Sequence, residues 1–139
     1  MIMWIPFAVL SALFAGLVAI FGKIGLAGVD TTLATAVRAV IMALFLAGVA
    51  LFLGKGGLLG TIAGKPLGFI ALSGIAGALS WLFYFFALRI GPATGVAAVD
   101  RLSVVFVVIF AALFLAEAFT WKIALGTILL ILGALLMIL

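Results

Sequence analysis

The sequence contains no cysteine and no histidine. Without cysteine, the chain can neither form disulfides nor use thiol chemistry. Without histidine, it lacks the commonest metal ligand and the usual proton carrier near neutral pH. We therefore expect no metal site. Only three residues are acidic, which leaves little material for acid–base catalysis, so we do not expect an enzyme.

Charge is also scarce along the chain. Only 7% of the residues are charged, 71% are hydrophobic, and the mean hydropathy is +1.71. Soluble domains average about 25% charged and about 45–50% apolar residues, so this composition indicates a protein whose solvent is a lipid bilayer. The net charge of +4 is scattered, with no run of like charges, and we expect no nucleic-acid partner.

Five apolar runs are long enough to cross a bilayer, which takes about 20 residues of helix. They lie at approximately 4–22, 31–53, 66–88, 94–115 and 121–138. None alternates in the way that the strands of a membrane barrel do. Turn-forming glycine, proline and acidic residues separate the runs. The predicted fold is an all-α integral membrane protein, one domain of five transmembrane helices over residues 1–139.

Five crossings place the two termini on opposite sides of the membrane. The N-terminal side receives Lys55, Lys65 and Lys122, and the other side receives Lys23 and Arg89, with two more arginines deeper in the helices. Lysine and arginine near helix ends normally decide orientation. Because the two sides are nearly balanced, the chain has no clear orientation signal and both orientations are open to it. A single orientation fixed by other signals is the alternative.

Arg38 and Asp100 are the most unusual polar residues, because each lies inside a predicted spanning helix. Arg38 is about seven residues into the second helix and Asp100 about six into the fourth, so both lie roughly 10 Å below the same surface. One hypothesis is an ion pair that faces the substrate or gates the pathway. The alternatives are a static pair between two helices, or an Arg38 side chain that extends to the headgroups.

Two neighbours of Asp100 are further candidates. Arg101 lies about 100° around the helix from Asp100, and Ser103 lies three residues on, on the same face. Either residue could face a cavity or a neighbouring helix. Asp100 is also the best candidate for proton coupling.

The second half of the third helix carries Ser80, Trp81 and Tyr84. Aromatic rings beside a few polar groups are typical of cavities for organic molecules. Helix packing or an interfacial aromatic belt are the alternatives. At the end of the fourth helix, Glu117 is expected to act as a structural cap, because a carboxylate is unfavourable at a helix C-terminus. For Lys23 an interfacial position is favoured over a place in the pathway.

The segments described so far resemble, in order, those of one protein family. FGKIGLAGVD followed by TTLATAVRAV at 21–40, WLFYFFALRIGPATGVAAVDRLS at 81–103 and LFLAEAFTWKIALGTILLILGALLM at 113–137 resemble the repeat of EamA-type members of the drug/metabolite transporter superfamily. The resemblance extends over nearly the whole chain. Typical members carry two such five-helix repeats, inserted with opposite orientations, whereas this chain has one.

The resemblance implies a secondary transporter of small organic molecules that works by alternating access and uses no cofactor. It also implies that two copies assemble, and we expect an inverted homodimer in the bilayer of a bacterial or archaeal cell membrane. A dual-topology ion channel and a non-transporting accessory subunit are the alternatives. The sequence names neither the substrate nor the coupling ion.

Overall fold

The structure, a computed structural model, describes residues 3–139 and contains only helices and connecting turns over that range. Six α-helices and one 3₁₀ helix follow one another along the chain. They are α1 (Trp4–Gly25), α2 (Thr31–Phe52), the 3₁₀ helix (Lys55–Thr61), α3 (Lys65–Ile90), α4 (Ala93–Asp100), α5 (Ser103–Phe114) and α6 (Trp121–Leu136).

Four helical segments are long and apolar enough to cross a bilayer: Trp4–Gly25, Thr31–Phe52, Lys65–Ile90 and Ala93–Phe114, the last combining α4 and α5. The shorter α6 is also apolar, and its 16 residues extend roughly 24 Å. Large apolar side chains are exposed along all of these helices, as lipid contact requires. The prediction of an all-α membrane fold is confirmed.

The fourth span differs from the continuous helix predicted at 94–115. Its hydrogen bonding tightens after Asp100, where the amides of Leu102, Val104 and Val105 donate to carbonyls three residues back, at 2.9, 3.1 and 2.9 Å. The result is a short stretch of 3₁₀ geometry that separates α4 from α5. Hydropathy could not predict it, because this change of hydrogen-bond register needs neither a glycine nor a proline.

Turn-forming glycines separate the second and third apolar runs of the sequence, and within that segment Lys55–Thr61 forms the 3₁₀ helix. Gly54 precedes it with a φ of 68°, and Gly64 follows it with a φ of 66°. Both values lie in the left-handed region that glycine adopts at little cost. The 3₁₀ helix thus lies between two glycines with positive φ.

The chain divides into two compact units. The split unit comprises Met1–Gly22 and Ile90–Leu139, and the continuous unit comprises Lys23–Arg89. In the split unit, α4 and α6 pack through small side chains. Gly95, Ala98 and Ala134 are buried, and a Cβ on Gly95 would lie 3.4 Å from Cγ2 of Ile138. Small residues let two membrane helices approach closely.

The continuous unit has its core near the end of α3. Leu88 is 0% exposed, Thr31 is 1% exposed, and Leu26 and Phe85 are also buried. These residues belong to α3, to the N-terminus of α2 and to the loop before it. Asp30 caps α2 by accepting a hydrogen bond from the amide of Leu33 at 2.8 Å. The core therefore forms where the chain turns from α1 into α2.

Candidate functional site

Two basic side chains hold the C-terminal end of α3. The Lys23 ammonium donates hydrogen bonds to the carbonyl oxygens of Leu88 and Arg89. The Leu88 carbonyl cannot receive the usual helical bond from residue 92, because Pro92 has no N–H. Lys23 supplies a donor and places positive charge at the negative end of the helix dipole.

Arg89 extends the same arrangement to α2. Its Nη1 donates to the carbonyl of Val29 and to Oγ1 of Thr31, both at 3.0 Å. Thr31 in turn receives a hydrogen bond from Thr35 at its carbonyl, at 2.8 Å. We call Lys23, Thr31 and Arg89 the α3 clamp. Its cations are engaged by backbone and hydroxyl oxygens, so the clamp is a structural element that joins α3 to the chain before it.

Arg38 lies on an aromatic surface formed by α3. Its Cζ is 3.7 Å from the ring centroid of Trp81 and 5.5 Å from that of Phe85. Trp81 meets Tyr84 and Phe85 edge-on, with centroids 5.4 and 5.9 Å apart. We call Arg38, Trp81, Tyr84 and Phe85 the arginine–aromatic cluster. A cation–π contact contributes about 0.5–2 kcal/mol, more when it is desolvated, which offsets part of the cost of placing an arginine inside a membrane helix.

Helical spacing explains why these side chains meet. Trp81, Tyr84 and Phe85 occupy positions i, i+3 and i+4, which form one face of α3. On α2 the residues withdrawn from solvent are Thr31, Ala34, Thr35 and Arg38, which again share one face. The packed part of this face ends at Arg38, since every residue of α2 after it is exposed.

The face of α3 continues past the cluster with small residues. Gly74, Gly77 and Ala78 precede Trp81 by seven, four and three residues, so they lie on the same side of the helix. A Cβ on Gly74 or Gly77 would meet no heavy atom within 4 Å. The open positions at Gly77 and Gly74 therefore lie roughly 6 and 10 Å from Trp81 along the helix axis. We call Gly74, Gly77 and Ala78 the glycine strip.

Asp100, Arg101 and Ser103 surround the tightened turn of the fourth span. Asp100 is the last residue of α4 and is half-buried, whereas Arg101 and Ser103 are exposed. A carboxylate and a guanidinium thus lie next to the one stretch of this span that has left α-helical geometry. A 3₁₀ segment in the middle of a helix is typical of a hinge.

The remaining predicted residues lie elsewhere. Ser80 is exposed and immediately precedes Trp81. The amide of Glu117 donates to the carbonyl of Ala111 at 3.2 Å and so helps to end α5, while the side chain of Glu117 is exposed. The side-chain cap at the start of α6 is Thr120, whose Oγ1 accepts from the amide of Ile123 at 3.3 Å. The cap near Glu117 is therefore made by its backbone and by Thr120.

The structure brings together Arg38, Trp81 and Tyr84 within the continuous unit. Sequence reasoning missed Phe85, although its position four residues after Trp81 would have placed it on the same face. It also missed the bond from Lys23 to α3, for which the signal was a proline four residues after Leu88. Asp100, Arg101 and Ser103 belong to the split unit, so the pairing of Arg38 with Asp100 stays a prediction.

Comparison with known proteins gives the family. A profile of the EamA-like transporter family matches residues 2–139. An uncharacterized transporter in the cobO 3′ region of Sinorhizobium sp. is 41% identical over 134 residues, which cover 96% of this chain and 95% of that protein. The two chains are therefore nearly equal in length. No solved structure matches. With its apolar spanning helices and this match over nearly its whole length, the chain is an integral membrane protein and belongs to the EamA-like transporter family.

Proposed function

We propose that this protein is a secondary transporter of small organic molecules, working by alternating access as an inverted homodimer in a bacterial or archaeal cell membrane. The observation that carries the proposal is the arginine–aromatic cluster. It places a guanidinium on the face of Trp81, inside segments that span the membrane, with Arg38, Trp81 and Tyr84 all partly exposed. Ionisable groups at such depth are costly and mark substrate or ion pathways.

The chemistry of the cluster suits an organic substrate. Aromatic rings offer broad apolar contact, and one charged group fixes orientation, which is the usual make-up of a small-molecule site. The open glycine strip beside Trp81 supplies room for such a molecule. A pathway for hydrated inorganic ions would be lined mainly by polar groups or carbonyl oxygens instead.

Alternating access also requires an element that changes shape. The tightened turn after Asp100 is the candidate, because 3₁₀ and α-helical hydrogen bonding differ by one residue and interconvert locally. Asp100 and Ser103 flank the turn, so a change in the partner of the carboxylate would act on the hinge directly. On this proposal the fourth span is the moving part of the transport cycle.

Two features support a second, inverted copy. Lysine and arginine near the helix ends are almost balanced between the two sides, which removes the main force that fixes one orientation. In addition, Gly126 and Gly133 lie seven residues apart on one flank of α6, and a Cβ on either would meet no heavy atom within 4 Å. This open flank is available for close approach by a helix of another copy.

The test is to force one orientation and measure transport. Leu58→Lys with Leu59→Lys adds charge to the exposed 3₁₀ helix, and Ile24→Lys with Ala27→Lys adds it on the opposite side. In each double variant alone, a terminal tag should be labelled from one side of the membrane only, and transport in proteoliposomes should be lost. Co-expression of the two variants should restore labelling from both sides and transport. Leu58→Gln with Leu59→Gln is the matched control, since it adds polarity without charge.

The results separate the alternatives. Full transport by one biased variant alone would contradict the inverted homodimer. Single-channel currents in planar bilayers would indicate a channel in place of a carrier. The absence of any flux from the purified wild-type protein, with both orientations present, would indicate an accessory subunit.

A further inference from the structure

Arg38 is the membrane-embedded cation whose charge is left unbalanced within its own unit. The continuous unit contains a single carboxylate, Asp30, which accepts from the amide of Leu33 at the start of α2. Asp30 precedes Arg38 by eight residues, roughly 12 Å along the helix. Lys23 and Arg89 are engaged by oxygens of the α3 clamp. Within this unit, no backbone or side-chain oxygen accepts a hydrogen bond from Arg38.

The guanidinium carbon of Arg38 lies over the Trp81 ring, and this contact does not use the N–H groups of Arg38 as hydrogen-bond donors to an oxygen. A guanidinium carries five N–H donors in its plane, and a ring stacked on its face does not use them. A planar oxyanion can therefore approach edge-on and accept two parallel hydrogen bonds while the cation–π contact persists. An oxyanion bound there would also neutralise a charge that is costly at this depth.

An organic cation is disfavoured by the same geometry. The aromatic face that would attract it is already occupied by Arg38 at 3.7 Å, and the like charge would repel it. Beside Trp81, the glycine strip offers only apolar surface. The site thus combines one oxyanion contact with an apolar floor.

From these observations we infer that the transported substrate is a small organic anion, a carboxylate with a short apolar body. Its carboxylate binds the edge of Arg38, and its apolar part lies along the glycine strip. The inference rests on the proposed transport function and names the class of molecule that this site takes. It also makes Gly77 a specificity-determining residue, since a side chain there would fill the space next to Trp81.

The experiment uses phenylacetate as the probe, with phenylacetamide and benzyltrimethylammonium as neutral and cationic analogues. Trp4→Phe and Trp121→Phe leave Trp81 as the one tryptophan, so its fluorescence reports binding. In zwitterionic phosphatidylcholine vesicles, we expect phenylacetate to change the Trp81 fluorescence saturably and to be taken up. Neither analogue should compete with phenylacetate for binding. Arg38→Gln should weaken binding by about 10-fold or more, because charge-assisted hydrogen bonds are lost.

Three variants sharpen the result. Arg38→Lys keeps the charge but loses the planar donor pair, so we expect a loss between those of wild type and Arg38→Gln. Lys55→Gln, outside the spans, should leave phenylacetate binding unchanged. Gly77→Leu should weaken phenylacetate binding while acetate binding is retained, which a folding defect cannot mimic. Ala76→Leu, on the opposite face of α3, is its control and should leave both unchanged.

Each outcome decides one proposal. No saturable signal with phenylacetate, or a saturable signal with benzyltrimethylammonium that requires Trp81, would overturn the anion inference. Uptake of either analogue, with no uptake of phenylacetate, would also overturn the anion inference and would leave the transport proposal intact. Saturable phenylacetate binding without uptake would support the anion site and contradict transport. If adding phosphatidylglycerol abolishes phenylacetate binding, a lipid phosphate occupies Arg38 and the organic-anion inference is wrong.

Discussion

Different kinds of contact stabilise each of the two units internally. The continuous unit joins its helices through directional bonds, namely the α3 clamp and the stacking of Arg38 on Trp81. The split unit packs α4 on α6 through small residues such as Gly95 and Ala134, and it contains the tightened turn after Asp100. Hydrogen bonds with fixed partners specify one geometry, whereas smooth small-residue surfaces allow helices to shift. We therefore expect the continuous unit to hold the substrate group rigidly and the split unit to contain the moving element.

The largest expected effect comes from breaking the α3 clamp. Lys23→Met should lower the free energy of unfolding by about 1.5–3 kcal/mol, because it removes a charged hydrogen-bond donor. Leu88 lies in the buried core, so water does not replace the lost donor at its carbonyl. Denaturant titration in detergent, followed by circular dichroism, measures the change. Lys65→Met, at the exposed start of α3, is the control and should change stability by less than about 0.5 kcal/mol. Equal effects of the two substitutions would show that Lys23 is merely interfacial.

The close approach of α4 to α6 gives the next effect. Gly95→Leu should cost about 1–3 kcal/mol, because even a Cβ there would lie 3.3 Å from Cγ of Pro92 and 3.4 Å from Cγ2 of Ile138. The same unfolding titration applies. Adding Ile138→Ala should recover part of the loss by making room. A double variant no more stable than Gly95→Leu alone would mean that this contact does not limit the packing.

The two carboxylates of the split unit should differ in transport. Asp100→Asn should reduce flux by about tenfold, equivalent to roughly 1.4 kcal/mol, because it removes the charge beside the tightened turn. Glu117→Gln should leave flux within about twofold, because the Glu117 side chain is exposed and only its amide is used in ending α5. Both variants are compared in proteoliposomes at equal reconstitution. A larger loss for Glu117→Gln would reverse the assignment of the pathway.

The smallest effect distinguishes two threonines of α6. Thr120→Ala should cost about 1 kcal/mol, because its hydroxyl caps the helix by accepting from the Ile123 amide. Thr127→Ala should be close to neutral, because that hydroxyl only donates to the Ile123 carbonyl one turn back within the helix. Unfolding midpoints of the matched pair provide the measurement, and a greater loss at Thr127 would contradict the cap.

By itself, the sequence determined the membrane environment, the five apolar helical segments and the family. The membrane environment and the apolar segments depend on hydropathy summed over many residues, and the family depends on the order of motifs. None of these requires knowing which helix faces contact one another. Arg38, Trp81 and Tyr84 could also be found in this way, because polar and aromatic residues stand out in apolar helices. Their partners could not, since spacing along one helix does not say which side chain of another helix lies opposite.

Only the tertiary structure placed the Arg38 guanidinium on Trp81, added Phe85 to the cluster and gave the Leu88 carbonyl its donor from Lys23. These contacts join residues more than forty positions apart in the chain. The tightened turn after Asp100 was likewise decided at the level of individual hydrogen bonds. A change from four-residue to three-residue bonding alters no hydropathy average, so it appears only when backbone atoms have positions.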